Sequence, residues 1–268
     1  MGKTPQGLLH LWMQNSQLWI RCGCLEGYKM SNSQGHADVA DRIKELVRPD
    51  SVLVVGLTGS VASGKTTLAE NIVAHLSTRL DAAHITTDGF LFPNAVLQAQ
   101  DLMNRKGFPE TYDKSAMAGA LTELRRGKAA FPIYDHVTYD IDPNTKRELV
   151  APDVLVLEGL GLGPTPPTAR GGGSADVLVY LDADEADIKA WFLERFLRFW
   201  RAAESDPTSF YAQWLHMSLE EITEFAGMVW RTINLPNLRD HIAPIKAMAD
   251  IVVLKDRDHS VRIVEDRL

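Results

Sequence analysis

The run Gly59-Ser60-Val61-Ala62-Ser63-Gly64-Lys65-Thr66 constrains this chain more than any other feature, because the pattern switches from strand to helix around it. Before it, Ser51-Val-Leu-Val-Val-Gly-Leu57 is an apolar, β-branched run that reads as a buried parallel strand. After it, Leu68, Ile72, Val73, Leu76 and Leu80 recur at helical spacing. The run fits G-x-x-x-x-G-K-[ST], a loop whose glycines let backbone N–H groups close on phosphate oxygens at a helix N-terminus. A chance glycine turn would have neither flank. Nucleotide binding is therefore expected at Gly59, Ser60, Val61, Ala62, Ser63, Gly64, Lys65, Thr66 and Thr67. Lys65 would reach the β- and γ-phosphates of ATP, and the Thr66 hydroxyl would ligate Mg²⁺.

The 268 residues allow one large α/β domain or two small ones. No stretch approaches the run of about eighteen apolar residues that a membrane span needs. The formal net charge of −7 argues against a general nucleic-acid surface, which requires a basic face. The two cysteines, Cys22 and Cys24, have no further cysteine to complete a thiolate metal site. They read as incidental thiols, and a cytoplasmic protein is the simplest expectation.

Residues 1–35 differ in character from the rest. They carry Lys3, Arg21 and Lys29 against Glu26, together with Trp12, Trp19 and a polar run at 31–35. The apolar part at 8–20 is broken by His10, Gln14, Asn15, Ser16 and Gln17 and lacks a signal-peptide core. A poorly ordered extension is expected there, with Met30 as a candidate natural start, followed by one folded domain at 36–268. Val39, Ile43, Leu46 and Val47 mark a short amphipathic helix before Pro49. Strands are expected at 82–87, 153–158, 176–181 and 250–254, with helices near 94–105, 114–127, 185–203 and 218–233. This alternation predicts an α/β fold, a mostly parallel sheet with helices on both faces. The stretch 160–173, with three prolines and five glycines, reads as a loop.

Phosphoryl transfer to an alcohol needs a phosphate clamp, a divalent cation and a carboxylate to take the acceptor's proton. Two acids end apolar strands, where the crevice of a parallel sheet opens: Asp88 in Ile85-Thr-Thr-Asp-Gly-Phe90 and Glu158 in Val154-Leu-Val-Leu-Glu-Gly159. Asp88 is the expected general base. Glu158 is expected to hold the Mg²⁺ shell with Thr66.

Six blocks add a resemblance. They are Thr86-Thr-Asp-Gly-Phe-Leu-Phe-Pro-Asn94, Arg105-Lys-Gly-Phe-Pro-Glu-Thr-Tyr-Asp113, Pro132-Ile-Tyr-Asp-His-Val-Thr-Tyr-Asp140, Leu157-Glu-Gly-Leu160, Arg195-Phe-Leu-Arg-Phe199 and Ile233-Asn234. In these blocks, over about residues 50–268, the chain resembles bacterial type I pantothenate kinases, relatives of the phosphoribulokinases and uridine kinases. The resemblance implies a P-loop kinase fold and a homodimer inhibited by coenzyme A. It also implies ATP-dependent phosphorylation of the primary hydroxyl of pantothenate to 4′-phosphopantothenate, the first step of coenzyme A biosynthesis. By the same resemblance Asp88 activates the hydroxyl, while Tyr134, His136, Tyr139 and Asn234 hydrogen-bond the acceptor. Phe196 and Phe199 supply apolar wall, Arg195 neutralises the transferred phosphoryl group, and Lys255 and His259 lie beside the adenine. On spacing alone, Phe192, Phe196 and Phe199 read as a core stripe and Arg195, Arg198 and Arg201 as a solvated helix face.

Four departures from that family stand out. Only about fifty residues precede the first strand, where the family carries a longer helical region. Phe192 replaces a tyrosine, Asp135 replaces a serine beside the acceptor-binding histidine, and Glu70 replaces an arginine that helps bind the coenzyme A phosphates. The last reversal of charge is expected to weaken feedback inhibition. The competing expectation is a kinase for another small hydroxylated metabolite, such as uridine or glycerate. A nucleotide switch or transporter ATPase is disfavoured, since neither Asn-Lys-x-Asp nor Leu-Ser-Gly-Gly-Gln occurs.

Overall fold

The computed structural model describes residues 33–135, 140–163, 170–207 and 209–268. The expected N-terminal extension and both cysteines lie outside these residues, apart from its last positions, which open the first helix. In chain order the elements are α1 (Ser33–Lys44), β1 (Leu53–Gly59), α2 (Lys65–Leu76), β2 (Ala82–Thr86), α3 (Asn94–Ala99), α4 (Lys114–Leu124), β3 (Lys128–Asp135) and β4 (Asp140–Val150). Then come β5 (Val154–Glu158), β6 (Val177–Asp182), α5 (Glu185–Ala202), α6 (Leu219–Val229), β7 (Ile251–Lys255) and β8 (Val261–Asp266). Short 3₁₀ and π turns link them.

Every residue of β1 is buried, as a central strand with both faces covered must be. The main sheet has six strands in the order β2-β5-β1-β6-β7-β8, parallel except for the antiparallel edge strand β8. On one face Val55, Leu57, Val156, Val179 and Val253 pack against Leu68 and Ile72 of α2 and Val39 and Ile43 of α1. On the other face Val54, Leu155 and Leu157 meet Leu121 and Leu124 of α4 and Phe131 of β3. Further along that face Leu178, Tyr180 and Val252 meet a cluster rich in aromatic rings from α5, α6 and the turns around them. The mostly parallel sheet and its two helical layers match the expectation.

The register decides where chemistry can occur. Thr86 of β2 and Leu57 of β1 both pair with Glu158 of β5, so β2 and β5 end level and β1 runs two residues further, to Gly59. The phosphate loop, the turn bearing Asp88, and Glu158 therefore open on one carboxyl edge, the usual crevice of such sheets.

Two features depart from expectation. The β3–β4 hairpin forms a separate two-stranded antiparallel sheet. Pro132 lies inside β3, beside a register shift between Pro132 and Ile133, which is where a strand without neighbours on both sides tolerates proline. The helix expected over 94–105 ends at Ala99, and Asp101 takes a left-handed φ of 56°.

Arg125, just past α4, ties the helical layer to the sheet. Its guanidinium donates to the carbonyls of Val52 (2.9 Å), Gly172 (2.9 Å) and Ser174 (3.0 Å) and to Asp176 Oδ2 (3.0 Å). That same carboxylate oxygen accepts from Val54 N at 2.8 Å. Charge-assisted bonds of this kind contribute about 1.5–3 kcal/mol, and truncation leaves carbonyls and a carboxylate without their donor. R125A is therefore expected to lower unfolding free energy by about 2–3 kcal/mol in urea titration. A loss under ~0.5 kcal/mol would contradict this account of the junction.

Candidate active site

The phosphate loop is held open by its own backbone. Gly64 caps α2 with φ 96°, a conformation that disfavours side chains, and Ala62 accepts φ 63° at a cost of about 1–2 kcal/mol. The Ser60 carbonyl receives Lys65 Nζ at 2.9 Å and Ser63 Oγ at 2.8 Å, while Lys255 Nζ donates to the Ser63 carbonyl at 2.8 Å. Lys65 is buried. Burial pushes its ammonium below the ordinary lysine range; Glu158 and Asp88 pull the other way, and Arg195 pushes with burial. Asp88, Glu158 and Arg195 are thus each within electrostatic reach of Lys65, and Asp88 also of Arg195.

Glu158 is 5% exposed and accepts Thr66 Oγ1 on Oε1 at 2.9 Å. Burial alone would raise its carboxyl. His84, Lys65 and the Thr66 hydroxyl more than offset that and hold it below the usual range, hence ionised. Asp88 sits on the 3₁₀ turn Thr87–Phe90, its N–H donating to Thr86 Oγ1 (3.3 Å) and its Oδ1 accepting from Tyr112 OH (3.3 Å). Gly89 cannot carry a side chain, because a Cβ there would run into the Pro132 carbonyl of the hairpin. The hairpin thus presses directly on the turn that aims Asp88.

Lys106 has no role in the sequence reading, yet it faces this crevice. Its Nζ donates to Asn94 Oδ1 at 2.6 Å and lies 4.9 Å from the centre of the buried Tyr134 ring. Burial lowers its pKa to about 8, against the pull of Asp140 and Asp88. The only signal for it was its place within the Arg105–Asp113 block. Arg195 is half-buried on α5; burial lowers its pKa, Tyr211 opposes, Arg198 adds, and Asp88 opposes.

The remaining expected residues fall into distinct settings. Phe196 is 5% exposed and packs on Tyr211, Trp214 and Phe225, so it belongs to the aromatic core. Phe199 is half-buried against Tyr211, at 5.6 Å between centroids. Phe192 packs on Trp230 and Phe196, where a ring without a hydroxyl leaves no polar group to satisfy. Asn234 is half-buried on the π turn Trp230–Asn234. Asp135 pairs opposite Asp140 in the hairpin, and Glu70 is exposed on α2. His136 and Tyr139 lie outside the described residues.

Lys255 and His259 converge on Trp191 of α5, which the sequence reading passed over. Lys255 Nζ lies 4.1 Å from the indole centroid, and the imidazole stacks at 5.1 Å with planes 29° apart. Burial lowers Lys255 to about 8; it also lowers His259, with Lys255 adding to the effect.

Oxygen ligands from one hydroxyl and one ionised carboxylate suit Mg²⁺, which typically takes one or two protein ligands plus phosphate oxygens and water. The described residues contain no cluster of three or more His, Cys, Asp or Glu that could cage a metal alone. Thr66 and Glu158 therefore fit a cation completed by the nucleotide.

Comparison with known proteins bears on the family. Residues 54–195 match the Phosphoribulokinase / Uridine kinase family. A pantothenate kinase from Nocardioides sp. (strain ATCC BAA-499 / JS614) is 39% identical over 232 residues, 82% of this chain and 70% of that protein. One from Sorangium cellulosum (strain So ce56) is 41% identical over 222 residues, 80% of this chain and 72% of that protein. Among solved structures, one from Silicibacter sp. TM1040 described as a fructose transport system kinase superposes with a TM-score of 0.60 at 23% identity, covering 80% of this chain and 95% of that one. A D-glycerate 3-kinase from Cryptococcus neoformans var. grubii gives 0.53 at 15% identity, with 86% and 97% covered. These two likenesses show the P-loop kinase fold alone. With the crevice, the matched family and relatives near 40% identity in agreement, the chain belongs to the Phosphoribulokinase / Uridine kinase family, in its pantothenate kinase group.

Proposed function

We propose that this chain transfers the γ-phosphoryl group of ATP to the primary hydroxyl of pantothenate, forming 4′-phosphopantothenate at the start of coenzyme A biosynthesis. The observation that supports this reading is the charge of Glu158, Asp88 and Arg195 acting on the buried Lys65 at the head of the phosphate loop, in a chain about 40% identical to pantothenate kinases. A kinase for uridine or glycerate would need the same phosphate machinery, but the relatives near 40% identity are pantothenate kinases, and the likeness to a D-glycerate 3-kinase, at 15% identity, is one of fold alone.

The residues divide the work. The loop N–H groups and Lys65 hold the β- and γ-phosphates. Thr66 and Glu158 hold Mg²⁺, which when bound neutralises charge on the phosphate oxygens. Asp88 accepts the hydroxyl proton as the alcohol oxygen bonds to the γ-phosphorus. The bond from that phosphorus to its bridging oxygen breaks, and ADP leaves with the electron pair. Arg195 and Lys106 flank Asp88 and stabilise charge on the moving phosphoryl group. Tyr134, His136, Tyr139 and Asn234 orient the acceptor, with Phe196 and Phe199 as its apolar wall. Lys255 and His259, set on Trp191, flank the adenine. Residues 36–268 form the kinase unit, which works as a cytoplasmic homodimer. Among the described residues no helix is long and apolar enough to cross a membrane.

Incubating Mg·ATP with pantothenate, uridine and glycerate and weighing the products tests the acceptor. Only pantothenate is expected to gain a phosphoryl group, and turnover of either rival without pantothenate would overturn the assignment. D88N is expected to keep ATP affinity and lose at least about 100-fold in kcat, the usual share of a general base. Parental turnover in D88N would remove Asp88 from the mechanism.

Lys106 is charged below about pH 8 and neutral above it. At saturating Mg·ATP, kcat/KM for pantothenate should therefore fall as pH rises through about 8. In K106R, whose guanidinium stays protonated, the fall should move to higher pH even if the maximal rate is lower. An unchanged alkaline limb in K106R would show that Lys106 does not set it.

A further inference from the structure

His84 stands on β2 one pair before the strand ends. The β2–β5 register sets His84 against Val156 and Thr86 against Glu158, so His84 and Glu158 are diagonal neighbours on one face of the sheet. The imidazole Nε2 lies 3.6 Å from Glu158 Oε1, the oxygen that also accepts from Thr66. Nε2 is buried and has no hydrogen-bond partner among the described residues. Leaving such a nitrogen unpaired costs about 1–3 kcal/mol, whereas a small swing of the carboxylate closes the gap to hydrogen-bond length. The His84 main chain is itself anchored, because Arg147 of β4 donates to its carbonyl at 2.9 Å. The hairpin therefore braces the strand segment from which the imidazole projects.

We propose that His84 is a positioning residue for Glu158, donating from Nε2 to Oε1 so that this oxygen is shared with Thr66 and the other is presented to the divalent cation. The inference rests on the reading of Thr66 and Glu158 as cation ligands. His84 does not touch the cation. It fixes the rotamer of a carboxylate that would otherwise have one anchoring hydrogen bond among the described residues, the task that hydrogen-bond donors behind a metal ligand commonly perform. Nothing in the motif predicts it, since the residue acts across two strands that are far apart in sequence.

The test uses Mn²⁺ as the probe on the full-length enzyme with ADP, followed by electron paramagnetic resonance of free Mn²⁺. H84L keeps the approximate bulk and removes the donor; H84Q returns an N–H near the Nε2 position. H84L is expected to weaken Mn²⁺ binding by about 10-fold or more. H84Q should recover most of that loss, and ADP affinity without metal should be unchanged in both. In turnover, H84L should raise the half-saturating Mg²⁺ concentration while leaving KM for pantothenate near the parental value. Equal Mn²⁺ affinity in H84L and parent would overturn the proposal. So would H84Q as weak as H84L, or a parallel loss of metal-free ADP binding, since either points to packing instead of donation. If the parent with ADP binds no Mn²⁺, the cation reading of Thr66 and Glu158 fails first, and this inference falls with it.

Discussion

A buried ammonium to which no carboxylate among the described residues is hydrogen-bonded organises this molecule. Lys65 is 9% exposed, and its Nζ donates to the neutral Ser60 carbonyl. Removing a charge from water costs several kcal/mol unless an opposite charge arrives, and burial accordingly lowers the affinity of Lys65 for its proton. Glu158 and Asp88 offset only part of that cost, and a triphosphate supplies further opposite charge. The left-handed backbone at Ala62 and the bond from Lys255 to the Ser63 carbonyl fix the conformation of the loop beforehand. Binding then meets a site whose dipoles are already turned toward the ligand.

The rest of the fold serves to bring an acceptor and a base to that anchored phosphate. The register of β2, β5 and β1 puts Glu158 beside Thr66 and Asp88 one strand further out. The hairpin, an addition outside the main sheet, presses on Gly89 and carries Tyr134 under Lys106. On the opposite flank the aromatic mass of Phe196, Tyr211, Trp214 and Phe225 makes α5 a rigid support for Arg195. Stacked and edge-on rings of this kind add roughly 0.5–1.5 kcal/mol per pair beyond their burial, which suits a helix that must hold a half-buried guanidinium in place. Cation and acid are thereby presented from separate elements across one crevice.

Much of this was legible in the chain, and the pattern of misses has physical causes. The strand before Gly59, the helix after Gly64 and the acids at 88 and 158 announce themselves through apolar runs that end at polar residues, which is local information. The β3–β4 hairpin did not, because Pro132 argues against a strand unless one knows that its edge is free. Phe196 reads as core by helical spacing and is deeply packed, while its reading as pocket wall comes from family resemblance and not from any local pattern. Lys106, Trp191 and His84 escaped notice for one reason. A single lysine, tryptophan or histidine carries no periodic signal, and each gains its setting from partners many residues away: Asn94 and Tyr134, Lys255 and His259, and Glu158.

The central claim is that one crevice holds the phosphate tail on Lys65 and turns an alcohol toward Asp88. A crystal structure with Mg²⁺, an unreactive ATP analogue and pantothenate tests it most directly. The account predicts the terminal phosphate against Lys65 Nζ and the loop N–H groups, with the primary hydroxyl of pantothenate about 3 Å from an Asp88 oxygen and facing the γ-phosphorus. A hydroxyl turned away from Asp88, or a phosphate tail seated elsewhere than on Lys65, would contradict it.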